Sequence, residues 1–495
     1  MAKAGEPGLG TGGSRGGVFA AYHKAVESPL FLVTFGVGWV ALLLVLSPLF
    51  GITWAHLGDM HWRTLMYMHG IFLPLVAILA VLVGAIMEVP GHVRNLLAWS
   101  MIPAVVLNGL GSIFNFHQPP HGSEIALWAQ VVGFFVLDEI AIALIVGLAM
   151  LPRARGKGWF AMGVSFWAVL LSVCSAFAAA VVGHVAGGGI SWGSAFYSIV
   201  PGWIAAIHGI GFKHIHGYVG NLAVAHSHEM LPAVMGGIVA LAAVAFRYPQ
   251  QHGALRRLVD LGLAVVCVGQ LLTAWVYLYS AIANYNIPIL FAAGPGGVNG
   301  LAMDDALTGV VALGSIIVLI GLAGMGWDGP AGRRVGSWLD PLRGPLLFSW
   351  VVAVASIAGF GYPIEFHETY YGAGTPGVPP AGGPGWRQDL AFTRAHLLLG
   401  FFLMPVLATV LLSLVYWREQ GNLQAQHPLR VTWIPWLAYG GMALCLVGQG
   451  LWVATGTQSW LYFLGWGLTV LAVAAVALAQ AQLWRRSRAE RGASA

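Results

Sequence analysis

The sequence predicts an all-α membrane protein: twelve transmembrane helices in three pseudo-repeats of four helices each. Three observations carry that expectation. Hydrophobic residues make up 58% of the chain and charged residues 8%, where a soluble domain carries about a quarter charged residues, so a soluble fold is excluded. Apolar runs of roughly 20 residues recur from end to end, each able to cross about 30 Å of hydrocarbon as a helix, whereas barrel strands need only about ten alternating residues. The third observation is the way basic residues sort between alternate loops.

In order, the runs place spans at Pro29 to Gly51, Thr64 to Ile86, Asn95 to Phe114, Ile125 to Leu151, Trp159 to Val182 and Tyr218 to Phe246. The second half continues with Leu258 to Ile282, Ala306 to Met325, Pro345 to Gly361, Ala395 to Trp417, Thr432 to Val453 and Trp460 to Leu483. With the N-terminus inside, 19 of the 23 Lys and Arg fall on the inner side, and only Arg63, Lys213, Arg387 and Arg394 fall outside. One span missed or invented mid-chain would collapse that split. The excess of inner Lys and Arg predicts both termini in the cytoplasm of a multi-pass protein of the cell inner membrane. Residues 29–484 read as one membrane domain, between a Gly-rich tail (1–28) expected to be disordered and cytoplasmic and a basic cytoplasmic tail (485–495). The tail 1–28 lacks the short apolar core and small-residue cleavage site of a signal peptide. The net charge of +5 then reflects loop bias rather than nucleic-acid binding. Cys174, Cys267 and Cys445 each lie inside an apolar run, so neither a disulfide nor a CxxC heme attachment is expected.

Of the 17 histidines, only His23, His92, His252 and His427 fall on the inner side. Three even-numbered spans open at the outer surface with histidine and continue to proline: His69 to Pro74, His226-Ser227-His228-Glu229 to Pro232, and His396 to Pro405. A spacing of two, six and ten is the arithmetic of three four-helix repeats. Ionisable groups inside a membrane are costly and mark pathways, proton relays or cofactors, and neutral imidazole is a good ligand for heme iron and for copper. The plainer alternative for each histidine is a hydrogen bond to a neighbouring helix.

The twelve-span topology, His69-Gly70 at the outer end of span two and His396 at the outer end of span ten resemble subunit I of the heme-copper oxidase and nitric oxide reductase superfamily. The resemblance implies four-helix arcs around a pseudo-threefold axis, and a low-spin heme b held between His69 and His396. It also implies a cytochrome c or quinol electron donor, a small gaseous ligand and small partner subunits, beside contact with membrane lipid. Two departures stand against a full binuclear centre. Arg394 occupies the position of the high-spin heme ligand, and span seven, reading from Gln270 through Trp275 to Tyr277, has no His-His pair. A second heme, or a non-heme iron or copper, would have to recruit His226 or His228, with Glu229 as an oxygen donor; these three are the candidate catalytic residues. On a regular helix i and i+2 lie about 200° apart, so His226 and His228 are not expected to share one metal. The His226 to Met230 string is also similar to one in heme- and copper-containing membrane proteins of the bacterial nitric-oxide response.

Asp138 and Glu139, mid-membrane in span four, suit a proton path or a pairing with a buried Arg or Ser. Asp304 and Asp305 open span eight. His117, His121, His184, His208, His214, His216 and His367, with Glu365 and Glu368, are read as solvated loop residues, with a loop metal as the alternative. A twelve-span transporter that uses its histidines for metal-ion or proton-coupled transport is the competing function, and a heme-binding sensor without turnover is a third.

Overall fold

A computed structural model describes residues 25–46, 66–117, 124–192, 215–283, 301–328, 334–371, 395–419, 433–457 and 459–493. Most of the tail 1–28, Arg394, His121, His208 and His214 lie outside the described residues. Among the described residues the chain forms α1 (Pro29–Leu46), α2 (Leu73–Ile86), α3 (Gly91–His117), α4 (Glu124–Ala154), α5 (Val164–Trp192) and α6 (Ile215–Ala245). These are followed by α7 (Ala254–Ala283), α8 (Leu301–Gly324), α9 (Arg343–Tyr371), α10 (Met404–Trp417), α11 (Trp433–Thr455) and α12 (Trp460–Ala493). A small antiparallel ladder, β1 (Gly326–Asp328) with β2 (Arg334–Gly336), joins α8 to α9 and pairs Trp327 with Val335. Ten of the helical stretches are long and apolar enough to cross a membrane, and two further apolar ones, Glu229–Ala245 and Arg343–Gly359, are shorter. The chain is therefore a multi-pass helical membrane protein.

Sequence neighbours pair as antiparallel hairpins: α3 with α4, α5 with α6, α7 with α8, and α11 with α12. Small residues let these backbones meet. A Cβ on Gly262 of α7 would lie 2.7 Å from the Val318 nitrogen and 2.8 Å from the Gly314 oxygen of α8, the close approach that drives helix association where lipid removes the hydrophobic incentive. Phe31 of α1 packs 5.1 Å from Trp484 of α12, bringing the first and last helices together.

Inside this arrangement α2, α6 and α10 pack on one another. From Leu398 to Trp417 every residue is buried, so α10 is an interior helix. By contrast α4 exposes Ile125, Trp128, Phe135 and Ile142 and lies at the perimeter. In the turn after α6, Tyr248 is buried against Ser165 and Asp260, and burial pushes its phenol above the ordinary range.

Several helices run past the ends expected from the apolar runs. α5 continues from Val182 to Trp192, α3 reaches His117, α9 reaches Tyr371, and α6 begins at Ile215. Thus His117, His184, His216 and His367, read from the sequence as loop residues, are helical. A hydrogen-bonded turn needs no hydrophobicity once its helix is nucleated and packed, so the apolar window marks the hydrocarbon crossing and not the helix end.

Candidate functional site

Two of the three proline-bearing inner segments open with π-helix. Met68–Phe72 is π-helical, with the Leu73 N–H bonded to the Met68 oxygen five residues back, and Leu73-Pro74 follows at once. Ala395–Leu403 is π-helical and runs into Met404-Pro405. Proline lacks an N–H and its ring crowds the carbonyl four residues earlier; a widened turn relieves that clash, and such turns recur at functional sites. His69 sits on the first π segment and His396 on the second. Tyr67 packs 5.1 Å from Phe402, so the two segments are neighbours.

Counted at 1.5 Å per residue from the far ends of their helices, His69, His226 and His396 stand at roughly 26, 28 and 31 Å. His69 and His226 share one level of the bundle. The His69 and His226 rings lie 6.3 Å apart, centroid to centroid, with planes 14° from parallel. His226 Nδ1 is 2.7 Å from the Ala179 oxygen and His396 Nδ1 is 2.9 Å from the Ile357 oxygen. A carbonyl only accepts, so Nδ1 carries the proton in both rings and Nε2 carries the lone pair, the tautomer that ligating histidines use. The His396 ring meets Phe401 edge-on at 4.9 Å.

Glu229 follows His226 by three residues and so shares its helix face. It is fully buried, and neither carboxylate oxygen has a hydrogen-bond partner among the described residues. An unpaired buried carboxylate is costly, which makes Glu229 a candidate site residue. One turn further on, the Gln270 amide of α7 donates to the Pro232 oxygen at 2.8 Å, so the span without histidines presents an amide to this part of α6. His228 is helical, but its side chain lies outside the described residues, as do those of Glu365, His367, Glu368, Asp304 and Asp305.

Asp138 and Glu139 separate. Consecutive helical residues diverge by about 100°, and Ser100 of α3 donates to Glu139 Oε1 at 3.1 Å while Asp138 Oδ2 lies 2.6 Å from His184 Nε2 on α5. That second pairing was hidden in the sequence, because His184 reads there as a loop residue. Gly183 and the run Gly187-Gly188-Gly189 argue against helix here, so the sequence carries no clear signal that His184 stays in α5. Phe134 links the two histidine groups, 5.8 Å from His69 and 5.6 Å from His184. No cluster of three or more His, Cys, Asp or Glu poised for a metal ion occurs among the described residues. Neither a family model nor a curated protein matches the sequence.

Proposed function

We propose that this chain is a heme-bearing redox protein of the cell inner membrane, akin to subunit I of the heme-copper oxidases and nitric oxide reductases, with a divergent second site. The observation that carries the reading is that His69 and His396 each stand on a π-helical turn before a proline, on inner segments that touch through Tyr67 and Phe402. The donor set fits the group: with Nδ1 of His396 donating to the Ile357 carbonyl, Nε2 is the ring nitrogen that would hold iron. His69 and His396 would hold a low-spin heme b, and the group would supply one-electron transfer there. The mutual packing of α2, α6 and α10 supports twelve spans in three repeats of four, and the charge split supports cytoplasmic termini.

His226, with the unpartnered Glu229 on its face, is the best-placed donor pair for the second site, where His228 is also a candidate. Imidazole with carboxylate suits iron better than copper. With no histidine in α7, binding or reduction of nitric oxide fits this site better than proton-pumping oxygen reduction; electrons would come from a cytochrome c or a quinol.

The test is a pyridine hemochrome assay with metal analysis on purified protein. His69→Ala and His396→Ala should each abolish the sharp reduced α-band, whereas His226→Ala should keep it and alter the carbon monoxide difference spectrum. A band that survives both of the first two substitutions refutes the axial pair. Protein free of heme yet carrying a stoichiometric transition metal would favour the transport reading.

A further inference from the structure

The contact between Asp138 and His184 stands beside the candidate site without belonging to it. The two side chains meet at 2.6 Å with side-chain exposures of 16% and 29%. They lie on adjacent helices, α4 and α5, at the level of the inner histidines: counted at 1.5 Å per residue, Asp138 is roughly 24 Å and His184 roughly 30 Å from the opposite ends of their helices. His184 is held between Phe135, stacked at 5.6 Å, and Phe134, whose ring also meets His69. The residue before it, Gly183, abuts the site itself, since a Cβ there would lie 2.5 Å from His226 Nδ1.

We propose that Asp138 and His184 form a proton-exchange pair, which takes a proton from the histidine-rich face when the neighbouring site gains an electron and returns it when the electron leaves. The chemistry follows from the contact. Asp138 accepts the Nε2–H of His184, so Nδ1 is the nitrogen that gains and loses the proton, and the imidazolium so formed has its counter-charge already in place. One electron at the site is matched by one proton on Nδ1, and the reverse step releases both. The aromatic clamp of Phe134 and Phe135 keeps the ring from turning away from Asp138. Among the described residues, the titratable groups on neighbouring elements at this level are His69 beyond Phe134 and His226 beyond Gly183; Glu139 is turned to Ser100.

The inference rests on the heme reading for its redox readout, and the experiment separates the two. Full-length protein in oriented vesicles is assayed for heme by hemochrome, then titrated potentiometrically at several outer pH values with a soluble one-electron mediator. Wild type should show a midpoint potential that falls with outer pH. Asp138→Asn and His184→Gln should keep the heme and cut that slope at least twofold, and Asp138→Glu should restore most of it. An unchanged slope in both variants with heme content intact overturns the pair and leaves the heme reading standing. Absence of heme from wild type refutes the heme reading, and the pair is then judged by 15N spectra of the imidazoles as the outer medium is acidified. A signal that is lost in His184→Gln, changes protonation in wild type and fails to do so in Asp138→Asn supports the pair; a His184 signal in one fixed state overturns it.

Discussion

Asp340 shows how one residue can organise the end of the bundle opposite the histidines. Its Oδ1 accepts the N–H groups of Leu342 and Arg343, each at 2.8 Å, and so caps the start of α9. Its Oδ2 lies 2.8 Å from Arg418 Nη1 at the end of α10. Arg343, itself buried, bonds Glu419 Oε1 at 2.9 Å and sits 4.6 Å over the Phe246 ring, and Arg247 donates to the Glu419 backbone oxygen. Arg343 and Arg418 are thus balanced by Asp340 and Glu419 in a largely buried network at the end of α10 and the start of α9, to which the exposed Arg247 ties the end of α6. Removing one partner from such a network leaves a buried charge uncompensated, at a cost of about 3–5 kcal/mol. Asp340→Ala should therefore lower the denaturation midpoint in detergent markedly. The double variant Asp340→Ala with Arg418→Ala should lose less than the sum of the singles, because the second change removes the orphaned charge; strict additivity would show that the two residues do not interact.

At the scale of elements, the helix pairs depend on backbone proximity and the inner segments on proline. Gly314 of α8 faces Gly262 of α7, and a Cβ on it would lie 2.7 Å from the Val266 nitrogen and 2.8 Å from the Gly262 oxygen. The listener to that contact is backbone, which cannot rotate away as a side chain would. Gly314→Leu should separate α7 from α8 and cost about 1–3 kcal/mol, as overpacking of a tight interface does, whereas Gly309→Leu, whose Cβ would meet nothing within 4 Å, should be tolerated. Thermal unfolding of the two variants side by side measures the difference. The π turns at Met68–Phe72 and Ala395–Leu403 are the counterpart on the inner helices: each sets the register of a histidine relative to the proline-bearing helix that follows it.

For the whole molecule the charge split makes a sidedness prediction. A cysteine introduced between Gly374 and Gly383 should react with an impermeant maleimide added outside intact cells, and one between Arg153 and Gly158 should react only after the membrane is opened. The reverse pattern would invert the topology. The histidine level and the Asp340 network lie at opposite ends of the bundle, so the same experiment tells which of them faces the cytoplasm.

Composition and run length by themselves determined that the chain is a multi-pass helical membrane protein, because burying charge in hydrocarbon is so costly that sequence alone must reveal the spans. His69, His226 and His396 could likewise be singled out, since a histidine ahead of a proline in an otherwise apolar run is a visible anomaly. Which side chains meet was decided only by the tertiary structure. His69 lies beside His226, Asp138 turns to His184 while Glu139 turns to Ser100, and Glu229 is left without a partner among the described residues. Those outcomes depend on helix rotation and on where α3 and α5 end, and both are set by packing between helices distant in sequence, to which an apolar run of leucine and valine is blind.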